Sequence, residues 1–239
     1  MISLCKVIEG NKDDNYRKAC HNMVAASEKW GFFKLIDHGV KFEIIENMKN
    51  MCNDLFDLPM EKKMKGGRLN GLPLGYSATN PDYGKNWTTD GLGLPSDFFS
   101  KNFKEEKEAT MIRVNRYPKC PLPKKCLGLG SHSDPPTLTI LLQDDEVGGL
   151  QVLRPIDDQW VGIRPVSNSF VINIGDTLES VVHRAVVNKE KSRLSAAYFL
   201  SPSSKVTIES PPQLIPPISS NAKMYKPFTW GDFRKELLS

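Results

Sequence analysis

Leu127-Gly-Leu-Gly-Ser-His132-Ser-Asp134-Pro-Pro-Thr-Leu138-Thr-Ile-Leu-Leu142 holds two short strand-forming runs separated by a Pro-Pro turn, with a histidine and an aspartate at the junction. Runs of the same kind recur on both sides. Ile112–Tyr117 precedes them, and Leu150–Leu153, Trp160–Ile163, Phe170–Ile174, Val181–Val187, Leu194–Leu200 and Val206–Ile208 follow. Together with Leu127–His132 and Leu138–Leu142 these make nine predicted strands of three to seven residues, set off by turns such as Asp144-Asp145, Gly148-Gly149 and Asp157-Asp158. No helical periodicity lies between them, which argues against a parallel α/β sheet. The pattern predicts a mainly β fold with flanking helices and an antiparallel jelly-roll core over about residues 111–208.

Working outward toward the amino terminus, Tyr16, Ala19, Met23, Ala26 and Trp30 recur at three- and four-residue steps and predict a helix. A short strand, Phe32–Ile36, follows. Ile45, Met48, Cys52 and Leu55 then mark a second amphipathic helix that Pro59 closes. Lys65 to Asp90 has no apolar periodicity and reads as a long loop, an uncommon feature in a compact domain. Ser210 to Pro217 reads as a Pro-rich surface connection, and Phe228–Leu238 as one terminal helix. The organisation expected is an amino-terminal helix and strand segment, 1–90, packed on a barrel domain, 91–239.

Composition bounds the function. The 239 residues are 39% apolar and 25% charged, which suits an ordinary globular chain with one sizeable core and excludes disorder. The net charge of +4 is spread without a dense basic run, so nucleic acid is not an expected partner. No window approaches the roughly 20 apolar residues of a membrane span, and Lys6, Glu9, Lys12, Asp13 and Asp14 stand where a signal peptide would be apolar, so a cytoplasmic protein is expected. Cys5, Cys20, Cys52, Cys120 and Cys126 are odd in number and contain no C-x-x-C pair, and reduced thiols are the default reading.

Four histidines occur, and His21 and His38 read as structural or surface residues. His132 differs because Asp134 lies two residues on, which in extended chain puts an imidazole and a carboxylate on one face. His183, on another predicted strand, completes an H-x-D…H set. Two imidazoles and one carboxylate are the ligand set of a mononuclear ferrous oxygenase, which leaves positions open where structural zinc would have none. Arg193 and Ser195, two apart on the following strand, offer a guanidinium and a hydroxyl to a carboxylate, and Asn115 and Tyr117 repeat that spacing on an earlier strand.

The stretches Leu129–Gln143, Gly148-Gly-Leu-Gln-Val152, Val171-Ile-Asn-Ile-Gly-Asp176, His183-Arg-Ala-Val-Val-Asn188 and Arg193-Leu-Ser195 resemble the plant 2-oxoglutarate- and Fe(II)-dependent dioxygenases, as does Glu28–Val40 in front. Within that family the chain looks most like gibberellin-oxidase-like members. The resemblance implies a double-stranded β-helix, or cupin-like, core in which His132, Asp134 and His183 hold Fe(II). It implies that Arg193 and Ser195 bind the distal carboxylate of 2-oxoglutarate, assisted by Tyr117 and Asn115. With O2 as co-substrate and ascorbate as reductant, the expected outcome is hydroxylation or desaturation of a small plant metabolite, such as a gibberellin-like terpenoid acid. Phe170, Tyr198 and Phe199 are candidates to line the barrel, with core packing as their other role.

Two stretches depart from the family pattern. After Gly84-Lys-Asn-Trp87 the family continues through several helices, whereas this chain passes at once to Thr88-Thr-Asp-Gly91. Gly175-Asp-Thr-Leu-Glu-Ser-Val-Val-His183 lacks the turn-bearing stretch before the distal histidine. Loss of an even number of residues shared by both arms of a hairpin preserves facing, so a short hairpin is expected that pairs Asp176 with His183, turns at Glu179-Ser180 and keeps His183 near the iron. The rival reading is a catalytically silent barrel that retains its metal ligands. A zinc hydrolase ranks lower because it gives Arg193-Leu-Ser195 no role.

Overall fold

A computed structural model describes residues 1–5, 14–66, 110–176, 180–202, 204–205, 207–209 and 226–238. The expected long loop at 65–90, the stretch around 87–91 and the Pro-rich connection at 210–217 therefore lie largely or wholly outside the described residues. In chain order the elements are β1 (Ile2–Ser3), α1 (Asp14–Trp30), β2 (Phe32–Ile36), α2 (Phe42–Asp57), α3 (Met60–Lys65), β3 (Thr110–Tyr117), β4 (Leu127–His132), β5 (Leu138–Gln143), β6 (Leu150–Arg154) and β7 (Gln159–Gly162). They continue with β8 (Phe170–Ile174), β9 (His183–Val186), β10 (Arg193–Leu200), β11 (Thr207–Ile208), β12 (Phe228–Thr229) and α4 (Trp230–Leu238).

Two sheets form the jelly roll: a major sheet in the order β1-β2-β8-β5-β10-β3 and a minor sheet in the order β4-β9-β6-β7. All their strand pairs are antiparallel except β1 with β2. Alternation along β10 decides what each layer does. Leu194 and Ala196 face outward and pack with Val114, Leu142 and the buried stripe Ile45 and Cys52 of α2. Arg193, Ser195, Ala197 and Phe199 face inward and line a cavity between the sheets. A second cluster, Phe32, Leu150, Val152, Val171 and Val181, fills the space between sheets beside that cavity.

The helix α2 is thus a cover for the outer face of β10, and its attachment is reinforced by Lys49, which bridges Glu46 and Asp145. At the other end Thr229 caps α4: its hydroxyl accepts from the Asp232 backbone N–H at 3.2 Å and donates to the Asp232 carboxylate at 2.7 Å.

One sequence expectation is overturned. The segment leading to His183 is not a hairpin, because β8 lies in the major sheet and β9 in the minor one. His183 pairs with Val152 and His132, not with Asp176. Asp176 instead donates its backbone N–H to the Asp134 carbonyl at 2.8 Å. The segment crosses from one sheet to the other, and Val181 and Val182 precede β9 and are not part of it. Of the expected turn, Glu179 lies outside the described residues.

Candidate active site

β4 and β9 run antiparallel with His132 directly opposite His183, and Asp134 follows two residues beyond β4. Backbone carbonyls fix both rings: His132 Nδ1 meets the Gly130 carbonyl at 2.8 Å, and His183 Nδ1 meets that of Val181 at 3.1 Å. A carbonyl only accepts, so each Nδ1 carries the hydrogen and each Nε2 keeps its lone pair. Both Nε2 atoms lie 3.6 Å from Asp134 Oδ1. The other carboxylate oxygen, Oδ2, is occupied by two donors, the Thr139 hydroxyl at 2.7 Å and the Asn173 amide. Ligand atoms from the three residues lie within 4.8 Å of one another.

Electrostatics match that arrangement. Burial pushes the Asp134 carboxyl up, but the neighbouring His183 and His132 rings and the Thr139 hydroxyl outweigh it and hold the group below its ordinary value. Burial first, and then repulsion from His183, lowers His132. Two imidazoles beside a carboxylate, each presenting one ligand atom to a common point, fit a divalent iron with further coordination positions open.

The amino-terminal segment supports His183 from behind. The Phe32 ring meets the imidazole edge-on with centroids 5.2 Å apart. Gly31, at φ +61°, accepts at its carbonyl from the Ile174 N–H at 2.9 Å and lies so close to Val181 that a Cβ there would sit 2.6 Å from Val181 Cγ2. Val181 in turn supplies the carbonyl that fixes the His183 ring. The crossover is therefore tied down at both ends: at its start by Gly175 and Asp176 to the β4–β5 loop, and at its end by Gly31 and Val181.

Across the cavity, the pairing of β10 with β3 sets Arg193 opposite Tyr117, Ser195 opposite Asn115 and Ala197 opposite Arg113. The two dyads expected from spacing thus form adjacent cross-strand pairs on one inward face. Arg193 is 2% exposed, and burial lowers it from the ordinary arginine range. Its guanidinium sits 5.4 Å from the centre of the Tyr117 ring and donates to Gln143 Oε1 at 3.3 Å, while its Nε is buried with no partner. Among the described residues no carboxylate pairs with it. A buried cation with no ion-pair contact is costly, and Asp144 attracts it only from a distance, so this half of the site is complementary to an incoming anion.

Residues absent from the sequence reading also shape the site. Thr139 and Asn173 hold Asp134, Gln143 holds Arg193, and Arg113 faces the cavity with its Nε donating to Asn115 Oδ1 at 3.1 Å. Arg113 was legible in principle, since it continues the two-residue step of Asn115 and Tyr117. The cavity is open to solvent. Phe199 lines it. Phe170 and Tyr198 do not; Phe170 packs outward against α2 and on His38, ring centroids 4.5 Å apart. His38 has both nitrogens engaged, with the Asn168 carbonyl and the Val40 N–H, and is structural; His21 is exposed on α1.

Comparison with known proteins agrees with this geometry. The family model for the 2OG-Fe(II) oxygenase superfamily matches residues 109–202, and that for the non-haem dioxygenase in morphine synthesis N-terminal matches 2–119. The chain is 32% identical to jasmonate-induced oxygenase 1 of Arabidopsis thaliana, over 98% of this chain and 71% of that protein. It is 31% identical to gibberellin 20 oxidase 2 of Oryza sativa subsp. indica, over 96% and 73%. The crystal structure of JOX2 in complex with 2OG, Fe and JA superposes with a TM-score of 0.78 at 28% identity, covering 98% of this chain and 83% of that one. The first of these alignments spans 292 positions, more than the 239 residues of the chain, so that relative carries inserted positions which this chain lacks. No helix among the described residues is long and apolar enough to cross a membrane.

Proposed function

We propose, for a chain that belongs to the 2OG-Fe(II) oxygenase superfamily and keeps its H-x-D…H ligands together, the oxidation of an unactivated C–H bond in a small carboxylate-bearing metabolite. His132, Asp134 and His183 would hold Fe(II) through two Nε2 atoms and one Oδ1 atom. Arg193 and Ser195 would bind the distal carboxylate of 2-oxoglutarate, with the Tyr117 hydroxyl beside them and Gln143 orienting the guanidinium. The cross-strand pairing of Arg193 with Tyr117 and of Ser195 with Asn115, facing the triad across one cavity, is the observation that supports this most. When iron and 2-oxoglutarate are bound, reaction with O2 supplies succinate, carbon dioxide and the oxidising equivalent for hydroxylation or desaturation.

Arg113 points to the substrate class. It is a second guanidinium in the cavity, half-buried, its Nε is oriented by Asn115, and among the described residues it makes no ion pair and feels only the longer-range attraction of Asp134. A substrate carboxylate satisfies it, and relatives named for gibberellin and a solved structure holding JA put such acids first in line. The walls of Phe32, Leu150 and Phe199 suit an apolar body behind that charge and exclude water from the reacting carbon.

The test is 2-oxoglutarate decarboxylation to succinate in the presence of Fe(II) and ascorbate, with gibberellins and jasmonic acid offered as free acids and as methyl esters. Turnover stimulated by an acid, lost with its ester and lost in Arg113→Met, supports the reading. Normal binding of iron and 2-oxoglutarate with no turnover for any acid would leave the silent barrel in its place.

A further inference from the structure

The connection between β3 and β4, Pro118-Lys-Cys120-Pro-Leu-Pro-Lys-Lys-Cys126, brings two sulfurs together outside the cavity: Cys120 Sγ and Cys126 Sγ lie 3.0 Å apart. Both residues are half-buried, so reagents can reach them. Their backbones are held firmly. The Cys120 N–H donates to the Asn188 carbonyl at 2.8 Å, the Lys125 N–H donates to that of Leu122 at 2.9 Å, and Pro121 and Pro123 fix φ at two of the five residues between the cysteines. A sulfur–sulfur bond is about 2.05 Å long, so an approach of about 1 Å closes the pair.

We propose that Cys120 and Cys126 form a reversible intramolecular disulfide, a modification site on the connection that joins Tyr117 to the strand carrying His132. A low-molecular-weight disulfide such as oxidised glutathione is the oxidant. The hydrogen bond between the two sulfurs holds the Cys126 thiol above its ordinary value. The Cys120 sulfur attacks one sulfur of the glutathione disulfide and expels one glutathione thiolate, leaving a mixed disulfide. The Cys126 sulfur then attacks Cys120 Sγ, and the second glutathione leaves and takes up the Cys126 proton. One glutathione disulfide and two protein thiols become one protein disulfide and two glutathione molecules.

The cross-link matters because of what it fastens. Tyr117 lies immediately before this connection, and its ring packs on Gly128 so closely that a Cβ there would sit 2.5 Å from Tyr117 Cδ1. That ring also lies beside the Arg193 guanidinium. Closing the loop restricts the unfolded chain and ties Tyr117 to β4, so the oxidised protein is expected to melt several degrees above the reduced one.

The experiment equilibrates the folded full chain in glutathione buffers from fully reducing to fully oxidising, quenches with iodoacetamide, and digests with trypsin without reduction. Cleavage after Lys119, Lys124 and Lys125 separates the two cysteines. The expected result is peptide 120–124 joined to peptide 126–184, since Pro155 and Pro165 block cleavage after Arg154 and Arg164, an intact mass lower by two hydrogens, and reversal by excess reduced glutathione. Cys126→Ser is expected to trap glutathione on Cys120. Alkylation of both cysteines at every ratio, or glutathione on each with no joined peptide, would overturn the proposal; the wild-type map decides this without any variant having to fold.

Discussion

The two halves of the cavity differ in how completely the protein satisfies its own polar atoms. In the half built on β4 and β9, the two Nδ1 atoms and Asp134 Oδ2 have their hydrogen bonds, and the three remaining ligand atoms face one another. In the half built on β3 and β10, Arg193 is sealed from water with its Nε unpartnered, and Gln143 beside it has an unpartnered Nε2. The first half is assembled before anything binds. The second is a charge waiting for its counter-ion. Preorganised ligands bind metal without paying for their ordering, whereas an orphaned cation destabilises the free protein and favours the complex.

That contrast can be broken one residue at a time. His183→Ala removes a ligand, and iron affinity is expected to fall by more than about 100-fold in equilibrium metal titration. Arg193→Met comes next: 2-oxoglutarate affinity falls about 100-fold because charge-assisted hydrogen bonds are lost, yet the free protein melts no lower than wild type, since a buried unpaired charge has gone. A clear drop in its melting temperature would mean the guanidinium is already satisfied within the protein. Asn173→Ala frees one lone pair of Asp134 Oδ2 and should weaken iron about 10-fold with little change in 2-oxoglutarate affinity, measured by the same titrations. Gly31→Ala strains a left-handed residue against Val181 and is expected to cost about 1–3 kcal/mol in denaturant unfolding. Least visible is Cys52, 0% exposed with its thiol pushed up to about 11 by burial: it should escape alkylation in the native protein and react on unfolding.

The same contrast separates what could be read in the sequence from what could not. β2, β4 and β8 have the boundaries their patterns imply, because alternation and flanking turn residues are local signals. His132 with Asp134, Arg193 with Ser195, and Asn115 with Tyr117 were legible for the same reason: a two-residue step on a strand fixes facing without knowledge of the fold. The path from β8 to β9 was not. Neighbouring strands joined by a short segment suggest a hairpin, while the chain here changes sheets, a choice made by partners far away in sequence such as His132 and Val152. Thr139, Asn173 and Gln143 are ordinary strand residues until the fold sets them against Asp134 and Arg193. β1, only two residues long, carries no period at all.

The central claim is that the crossover from β8 delivers His183 to a metal site and that Arg193 stands ready for the co-substrate. Anaerobic titration of the folded protein with Fe(II) and then 2-oxoglutarate, following the visible charge-transfer band of the chelate, tests both parts at once. A saturable band in wild type, absent in His183→Ala and shifted to much higher 2-oxoglutarate concentration in Arg193→Met, is the predicted result. No band from folded wild-type protein, or a band indifferent to both substitutions, would contradict it.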